Sequence, residues 1–235
     1  MSLGSLYVIP VSLGETNNDK LFPSMNLRLL EELDHLVVEN EKTARRFIRS
    51  TGNKRDFDKL ELILLDKRTR RHEISRPIEL LMQGKDVGIM SEAGCPGIAD
   101  PGQILMAEAH LYNIKVVPLI GPSSILLGLM ASGLNGQGFA FNGYLPIEKK
   151  AKLHALRELD SRVSKTGFTQ IFMETPYRNQ AMLDDVLKTC NAKNKLCVAV
   201  DITLESELIK TLAIAEWKAE KINIHKRPCM FLLGS

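Results

Sequence analysis

Residues 87–124 read Val87-Gly88-Ile89-Met90, SEAGCPGIADPG (91–102), QILMAEAHL (103–111), Tyr112-Asn113-Ile114-Lys115, Val116-Val117-Pro118-Leu119 and Ile120-Gly121-Pro122-Ser123-Ser124. A short apolar run, a glycine- and proline-rich loop, a helix-length stretch and a second apolar run make one βαβ unit. Apolar residues follow one another in both strands, as a parallel sheet covered on both faces requires. The alternation continues upstream. Leu6-Tyr7-Val8-Ile9 is a first strand, Ser24 caps a helix carrying Leu27, Leu30 and Leu33, and His35-Leu36-Val37-Val38 is a second strand. A helix from Thr43 to Ile48 stops at Gly52, and Leu60 to Leu65 is a third strand. Ser75 with Pro77 opens a helix carrying Ile78, Leu81 and Met82, which Gly84 ends. The opening stretch then supplies strands four and five.

Downstream of Gly121-Pro122-Ser123-Ser124 the pattern restarts, and Ile125 to Ala131 reads as a buried helix. Phe139 to Leu145 is strand-like, Lys149 to Val163 puts Leu153, Leu156, Leu159 and Val163 near one helix face, and Gln170 to Met173 is a strand. Thr175-Pro176 starts a helix with Met182, Leu183, Val186, Leu187 and Cys190 inside. Leu196 to Ile202, Leu208 to Ile214 and Cys229 to Leu233 complete a second sheet, with a short helix around Trp217. Two of these strands follow each other with little helix between, so this sheet is mixed. The expected fold class is α/β in two domains, residues 1–120 with a largely parallel five-stranded sheet and residues 121–235 with a mixed one.

A chain of 235 residues, 44% hydrophobic, can bury the cores of two such domains. Its apolar runs fall far short of the ~20 residues that a membrane span needs, and its start lacks a basic leader, so a soluble, cytoplasmic protein is expected. Cys95, Cys190, Cys197 and Cys229 form no CxxC pair, and the five histidines have no metal-ligand spacing; plain thiols and no metal site follow. A net charge of +3 is compatible with an RNA partner without demanding one. The run Lys67-Arg68-Thr69-Arg70-Arg71-His72 either tracks phosphates or is a solvated loop.

Two loops carry the chemistry. The loop 91–102 leaves an inner strand with three glycines, two prolines and the carboxylates Glu92 and Asp100. In open α/β sheets ligands bind beyond the carboxyl ends of strands, and glycine lets backbone approach them closely. Packing alone would also account for a rigid loop of this composition. Gly121-Pro122-Ser123-Ser124 opens a helix whose free N–H groups suit an anionic or polar group, and it is equally a plain helix start. Gly133, Gly136 and Gly138 give the dinucleotide fingerprint reversed and after a helix, which argues against NAD.

Taken in order, SEAGCPGIADPG, VVPLIGPSS (116–124), ASGL (131–134), FAFNGYLP (139–146) and IFMETPYR (171–178) resemble the tetrapyrrole-methylase superfamily. They are most similar to its ribosomal RNA branch, which methylates a ribose 2′-hydroxyl of small-subunit RNA and reads S-D-A-G-x-P-x-x-x-D-P-G, V-V-P-x-P-G-P and F-Y-E-S-x-x-R. Diphthine synthases and corrin or porphyrin methylases match these loops less well. The resemblance implies S-adenosylmethionine held in a cleft between the two domains, the first also forming the substrate side. Its contacts would be Pro10, Ser91, Glu92, Ala93, Asp100, Gly121, Pro122, Ser123 and Ser124, then Phe172, Met173, Glu174, Ala199, Asp201, Ile202, Pro228, Cys229 and Met230. It also implies a homodimer, and RNA or a ribosomal subunit as substrate.

A sulfonium methyl is already electrophilic, so neither metal nor covalent intermediate is required. Glu92 and Asp100 are the candidate catalytic bases for a hydroxyl acceptor, with a cofactor contact and a helix cap as their respective alternatives. The sequence departs from the family in three places. P-x-P-I-G-N is Pro10-Val11-Ser12-Leu13-Gly14-Glu15; A-E-D-T-R is Val38-Glu39-Asn40-Glu41-Lys42; A-R-E-L-T-K is Ala199-Val200-Asp201-Ile202-Thr203-Leu204. Loss of the last two cations shifts phosphate attraction to Lys149, Lys150 and Lys152 if the acceptor is RNA. A tetrapyrrole or protein acceptor would instead use Val200 and Leu204 as pocket walls, and a non-catalytic cofactor-binding protein is the remaining alternative.

Overall fold

The computed structural model describes residues 2–16, 21–65 and 74–235, so the basic run 67–72 lies outside the described residues. The chain divides into two compact units, Met1–Ser123 and Ser124–Ser235.

In the first unit the elements are β1 (Ser5–Ile9), α1 (Ser24–Glu32), β2 (His35–Val38), α2 (Glu41–Ser50), a 3₁₀ turn (Phe57–Lys59), β3 (Glu61–Leu64), α3 (Ser75–Met82), β4 (Val87–Met90), α4 (Gln103–Leu111) and β5 (Lys115–Pro118). The strands lie in the order β3-β2-β4-β1-β5, and every neighbouring pair is parallel. Side chains alternate across the sheet. Leu6, Val8, Val37 and Ile89 pack with Ile78, Leu81 and Leu105 of α3 and α4, whereas Ile9, Leu36, Val38 and Met90 pack with Leu30, Leu33, Phe47 and Ile48 of α1 and α2. Gly88 in β4 makes the second layer fit: a Cβ there would stand 2.5 Å from Leu36 Cδ2 and 2.7 Å from Ile9 Cδ1.

Ser24 is not the cap of α1. Pro23 holds that position with ψ 144°, no side-chain cap bond forms, and Ser24 is the first helical residue. The true cap is at α2, where Asn40 accepts from the amides of Lys42 and Thr43, starting that helix before the expected Thr43.

The second unit contains α5 (Ser124–Ser132), β6 (Phe139–Tyr144), α6 (Lys149–Thr166), β7 (Thr169–Met173), a 3₁₀ turn (Pro176–Arg178), α7 (Asn179–Thr189), β8 (Lys195–Val200), β9 (Leu208–Ala213), α8 (Ile214–Trp217) and β10 (Cys229–Gly234). Its sheet runs β6-β7-β10-β8-β9, with β6 and β7 parallel and the other pairs antiparallel, the mixed sheet expected. One face buries Phe172, Val198, Val200 and Phe231 against Leu156, Leu159, Met182, Val186 and Trp217. The other lies under α5, where a Cβ added at Gly128 would stand 3.6–3.8 Å from Ile202, Leu232 and Ala199.

The apolar run in α5 predicts a buried helix, but only Gly128, Leu129 and Ser132 are buried, and Leu126 and Met130 stand 52% and 79% exposed. β8 ends at Val200, short of the expected Ile202, because Asp201 (φ 49°) and Thr203 (φ 73°) turn the backbone into the left-handed region. β9 ends at Ala213, whose amide is taken by the Glu216 carboxylate as α8 begins. Among the described residues no helix is long and apolar enough to cross a membrane.

Candidate functional site

The loop after β4 is closed by Asp100, whose two carboxylate oxygens each lie 2.8 Å from the Gly97 amide while Oδ1 also accepts from Gly102 at 2.7 Å. Gly94, Gly97 and Ala99 adopt φ of 74°, 84° and 65°, so the loop curls around this carboxylate. Asp100 is engaged with its own loop and caps its turn; it does not present a free base. Glu92 is placed differently. Its exposed side chain accepts from Thr43 Oγ1 at 2.5 Å, and its amide donates to Glu39 Oε1 at 3.1 Å. A two-way backbone bridge between Val11 and Gly94 ties the loop after β1 to the loop after β4.

Together these segments enclose a pocket of ≈ 440 Å³ beyond the carboxyl ends of β1 and β4. Val11, Ser12, Leu13 and Gly14 form one wall, Thr43, Arg46 and Phe47 of α2 another, and Met90, Ser91, Glu92 and Ala93 the floor. Of the expected site residues, Ser91, Glu92 and Ala93 line this pocket. Pro10 and Gly121 meet beside it: a Cβ on Gly121 would run into the Pro10 ring, 2.7 Å from Cγ. Gly121 does not have a positive φ; close approach, and not backbone conformation, requires glycine there. Ile120 and Pro122 offer their carbonyls to Asn26 Nδ2 (2.7 Å) and Cys95 Sγ (3.4 Å), which fixes the segment before Ser123 and Ser124.

In the second unit the expected residues gather at one end of the three central strands, where β7 and β8 end and β10 begins. Met173, Met230 and Ala199 are in register across β7, β10 and β8 and share a face. Phe172 and Cys229 turn the opposite way into the core, Phe172 stacked on Phe231 at 5.5 Å, so only their backbone can meet a ligand. Glu174 is buried, and its Oε1 receives Arg178 Nη2 at 2.6 Å and the Thr175 amide at 2.7 Å. Burial pushes the Glu174 carboxyl up, but these donors outweigh it and hold it below the usual carboxylate range. Among the described residues, Glu174 Oε2, Arg178 Nε and Asn179 Oδ1, all buried, have no hydrogen-bond partner. Asp201 is a structural anchor: it takes Arg227 Nε and Ser206 Oγ, both at 2.7 Å, while its amide reaches Pro228 O. Ile202 packs beneath α5 near Gly128.

Two expectations are corrected here. Lys152 is not free for phosphate, because it is buried and paired with Asp185 at 2.6 Å; Lys149 and Lys150 are exposed. Val200 is wholly buried in the core, so it is not a pocket wall, and Leu204 sits partly buried in the turn that follows Asp201. Burial pushes the Cys190 thiol up to about 12 and raises Cys197 and Cys229 as well, which leaves them protonated packing groups. Among the described residues no three His, Cys, Asp or Glu side chains are grouped to hold a metal. Sequence reasoning does not single out Thr43, Arg178, Asn179 or Arg227; the capping Asn40 three residues before Thr43 is the available signal for the first.

Two α/β units, one with a parallel and one with a mixed five-stranded sheet, make the fold of the tetrapyrrole methylases. The methyltransferase CobJ superposes with a TM-score of 0.65 at 16% identity, over 99% of this chain and 94% of that one. Uroporphyrin III C-methyl transferase from Thermus thermophilus does so at 0.60 and 15%, over 99% and 98%. No family profile matches the chain. In sequence it is 30% identical to ribosomal RNA small subunit methyltransferase I of Buchnera aphidicola subsp. Acyrthosiphon pisum over 93% of this chain and 74% of the relative. It is also 30% identical to the protein of that name from Pseudomonas aeruginosa, over 100% and 80%. The chain belongs to the ribosomal RNA small subunit methyltransferase I family.

Proposed function

We propose that this protein methylates a hydroxyl of RNA, the ribose 2′-hydroxyl of small-subunit ribosomal RNA, with S-adenosylmethionine as donor. The observation that carries the reading is the pocket beyond β1 and β4, large enough for a nucleoside-sized group, with the Glu92 carboxylate on its floor. When bound, the cofactor supplies a methyl group activated by its sulfonium and leaves as adenosylhomocysteine. The protein's task is to orient the acceptor, take its proton and exclude water. Glu92 takes the hydroxyl proton, and Thr43 holds the Glu92 carboxylate in place.

The residues present fit the cofactor. Glu174 Oε2 and Asn179 Oδ1 are buried acceptors in need of donors, which an amino group or a ribose hydroxyl provides. Pro10, Ser91, Ala93, Gly121, Pro122, Ser123 and Ser124, with Met173, Glu174, Ala199, Ile202, Pro228 and Met230, would hold it; Phe172 and Cys229 would do so through backbone alone, and Asp100 and Asp201 by shaping their loops. The unit Met1–Ser123 takes the acceptor, and the unit Ser124–Ser235 contributes cofactor contacts.

The protein acts in the cytoplasm as a homodimer, a state that would cover the exposed Met130 of α5. Incubation with adenosylmethionine and small ribosomal subunits lacking the modification should yield a 2′-O-methylnucleoside by mass spectrometry. Binding of adenosylhomocysteine without methylation of any RNA would remove the acceptor assignment, and a folded protein with no affinity for it would remove the cofactor assignment. A monomer in sedimentation would remove the dimer.

A further inference from the structure

Helix α2 carries Lys42, Arg45, Arg46 and Arg49. At 3.6 residues per turn these four fall within an arc of roughly 100°, opposite the buried Ala44, Phe47 and Ile48. Two of the guanidinium groups share one aromatic ring: Arg45 Cζ lies 5.0 Å and Arg49 Cζ 4.3 Å from the centroid of Phe57. Arg49 is held further by Asn53 O at 3.0 Å. Like charges gathered on one ring repel, and an anion placed among them relieves that repulsion.

Among the described residues, the carboxylates paired with this face neutralise it only weakly. Arg45 meets Glu41 at 3.5 Å, and Arg46 meets Glu15 at 3.9 Å, the latter pair 64% and 92% exposed. Exposed pairs of this kind are weak and yield to a better anion. Arg46 also lines the pocket that holds Glu92, so the stripe runs to its rim.

We propose that the α2 stripe of Arg45, Arg46 and Arg49 docks the phosphate backbone of a single-stranded RNA segment whose acceptor nucleotide enters the adjacent pocket. This rests on the RNA reading above and gives it a surface. Guanidinium groups match phosphate oxygens two bonds at a time, and a ring held beneath them pre-orients the fork. Of the other candidate cations, Lys152 is occupied by Asp185, whereas Lys149 and Lys150 are exposed and serve as the comparison in the test.

The test is binding of the full chain to a single-stranded RNA oligonucleotide across a potassium chloride series. Each phosphate contact contributes a log–log slope of about −0.7. Changing Arg45, Arg46 and Arg49 together to Gln should flatten the slope by about 2 and lower affinity at least tenfold, with the far-ultraviolet circular dichroism spectrum unchanged. The matching Lys triple should keep most of the slope, which separates charge from a folding defect, and Lys149→Gln with Lys150→Gln should keep all of it. Wild-type RNA binding that the Gln triple leaves intact overturns the docking surface alone. A wild type that neither binds nor methylates RNA overturns the functional reading along with it. Displacement of the RNA by equimolar polyglutamate would show a general anion surface fitted to acidic protein, and would also overturn the proposal.

Discussion

Thr43 Oγ1 stands 2.5 Å from Glu92 Oε1, so the first turn of α2 and the loop leaving β4 are joined by one hydrogen bond at the pocket wall. The same hydroxyl lies 3.1 Å from Asn40 O, which fixes its rotamer from the helix side. The Glu92 carboxylate thus stands at an open pocket, whereas Asp100 spends its oxygens on the amides of Gly97 and Gly102.

The two carboxylates should therefore separate by kinetics. Glu92→Gln is expected to lower kcat about 10²- to 10⁴-fold with folding stability unchanged, the range for loss of a general base. Asp100→Ala is expected to cost about 1–3 kcal/mol of folding stability, because amides of the loop lose their acceptor. Steady-state kinetics and urea unfolding of both variants check this. A stable Asp100→Ala with the larger kcat loss would reverse the roles.

Much of this arrangement is legible in the amino-acid order alone. Successive apolar residues in Val87-Gly88-Ile89-Met90 demand cover on both faces of the sheet, and α1 to α4 provide it. The left-handed residues Asp201 and Thr203 are not legible, because neither is glycine and their conformation is imposed by Arg227, Ser206 and Glu207 from other parts of the turn. Lys152 misleads for a similar reason. Its sequence neighbours are Lys149 and Lys150, but its partner Asp185 lies on α7, and only packing of α6 against α7 brings the two together.

Lys152→Met should destabilise the protein by about 3–5 kcal/mol, since it leaves Asp185 as an uncompensated buried charge. Lys152→Met combined with Asp185→Leu should recover most of that loss, as replacing a whole buried pair by apolar groups often does. RNA affinity should be unchanged in the double variant. Urea unfolding and RNA titration read both halves; an RNA affinity that falls tenfold in a stable double variant would return Lys152 to the docking surface.

Glu174 makes stability depend on pH in the acid range. Its folded pKa is held below the ordinary carboxylate value, so the ionised form favours the fold. That contribution is complete above the ordinary value and is lost as pH falls from there through the folded value. Glu174→Gln should cost about 1.5–3 kcal/mol near pH 7, typical of hydrogen bonds to a charged group, and the gap to wild type should narrow as pH falls. Denaturant unfolding between pH 7 and pH 3 measures this. A gap that stays constant would mean that Glu174 acts by shape and not by charge.

Gly121 faces the ring of Pro10, and that contact decides what a side chain there would do. A Cβ at Gly121 would stand 2.7 Å from Pro10 Cγ and 3.4 Å from Phe22 Cε1. Gly121→Ala should therefore lose about 1–3 kcal/mol by overpacking, and Gly121→Val more. Both should also weaken adenosylhomocysteine binding, because the loop ends of β1 and β5 must part. The double variant Pro10→Gly with Gly121→Ala removes the obstructing ring, and it should regain stability relative to Gly121→Ala alone. Calorimetric binding and thermal unfolding on the three variants distinguish the two effects. If the double variant regains stability but not affinity, Gly121 touches the cofactor directly; if Gly121→Ala binds like wild type, the Pro10–Gly121 contact serves the fold alone.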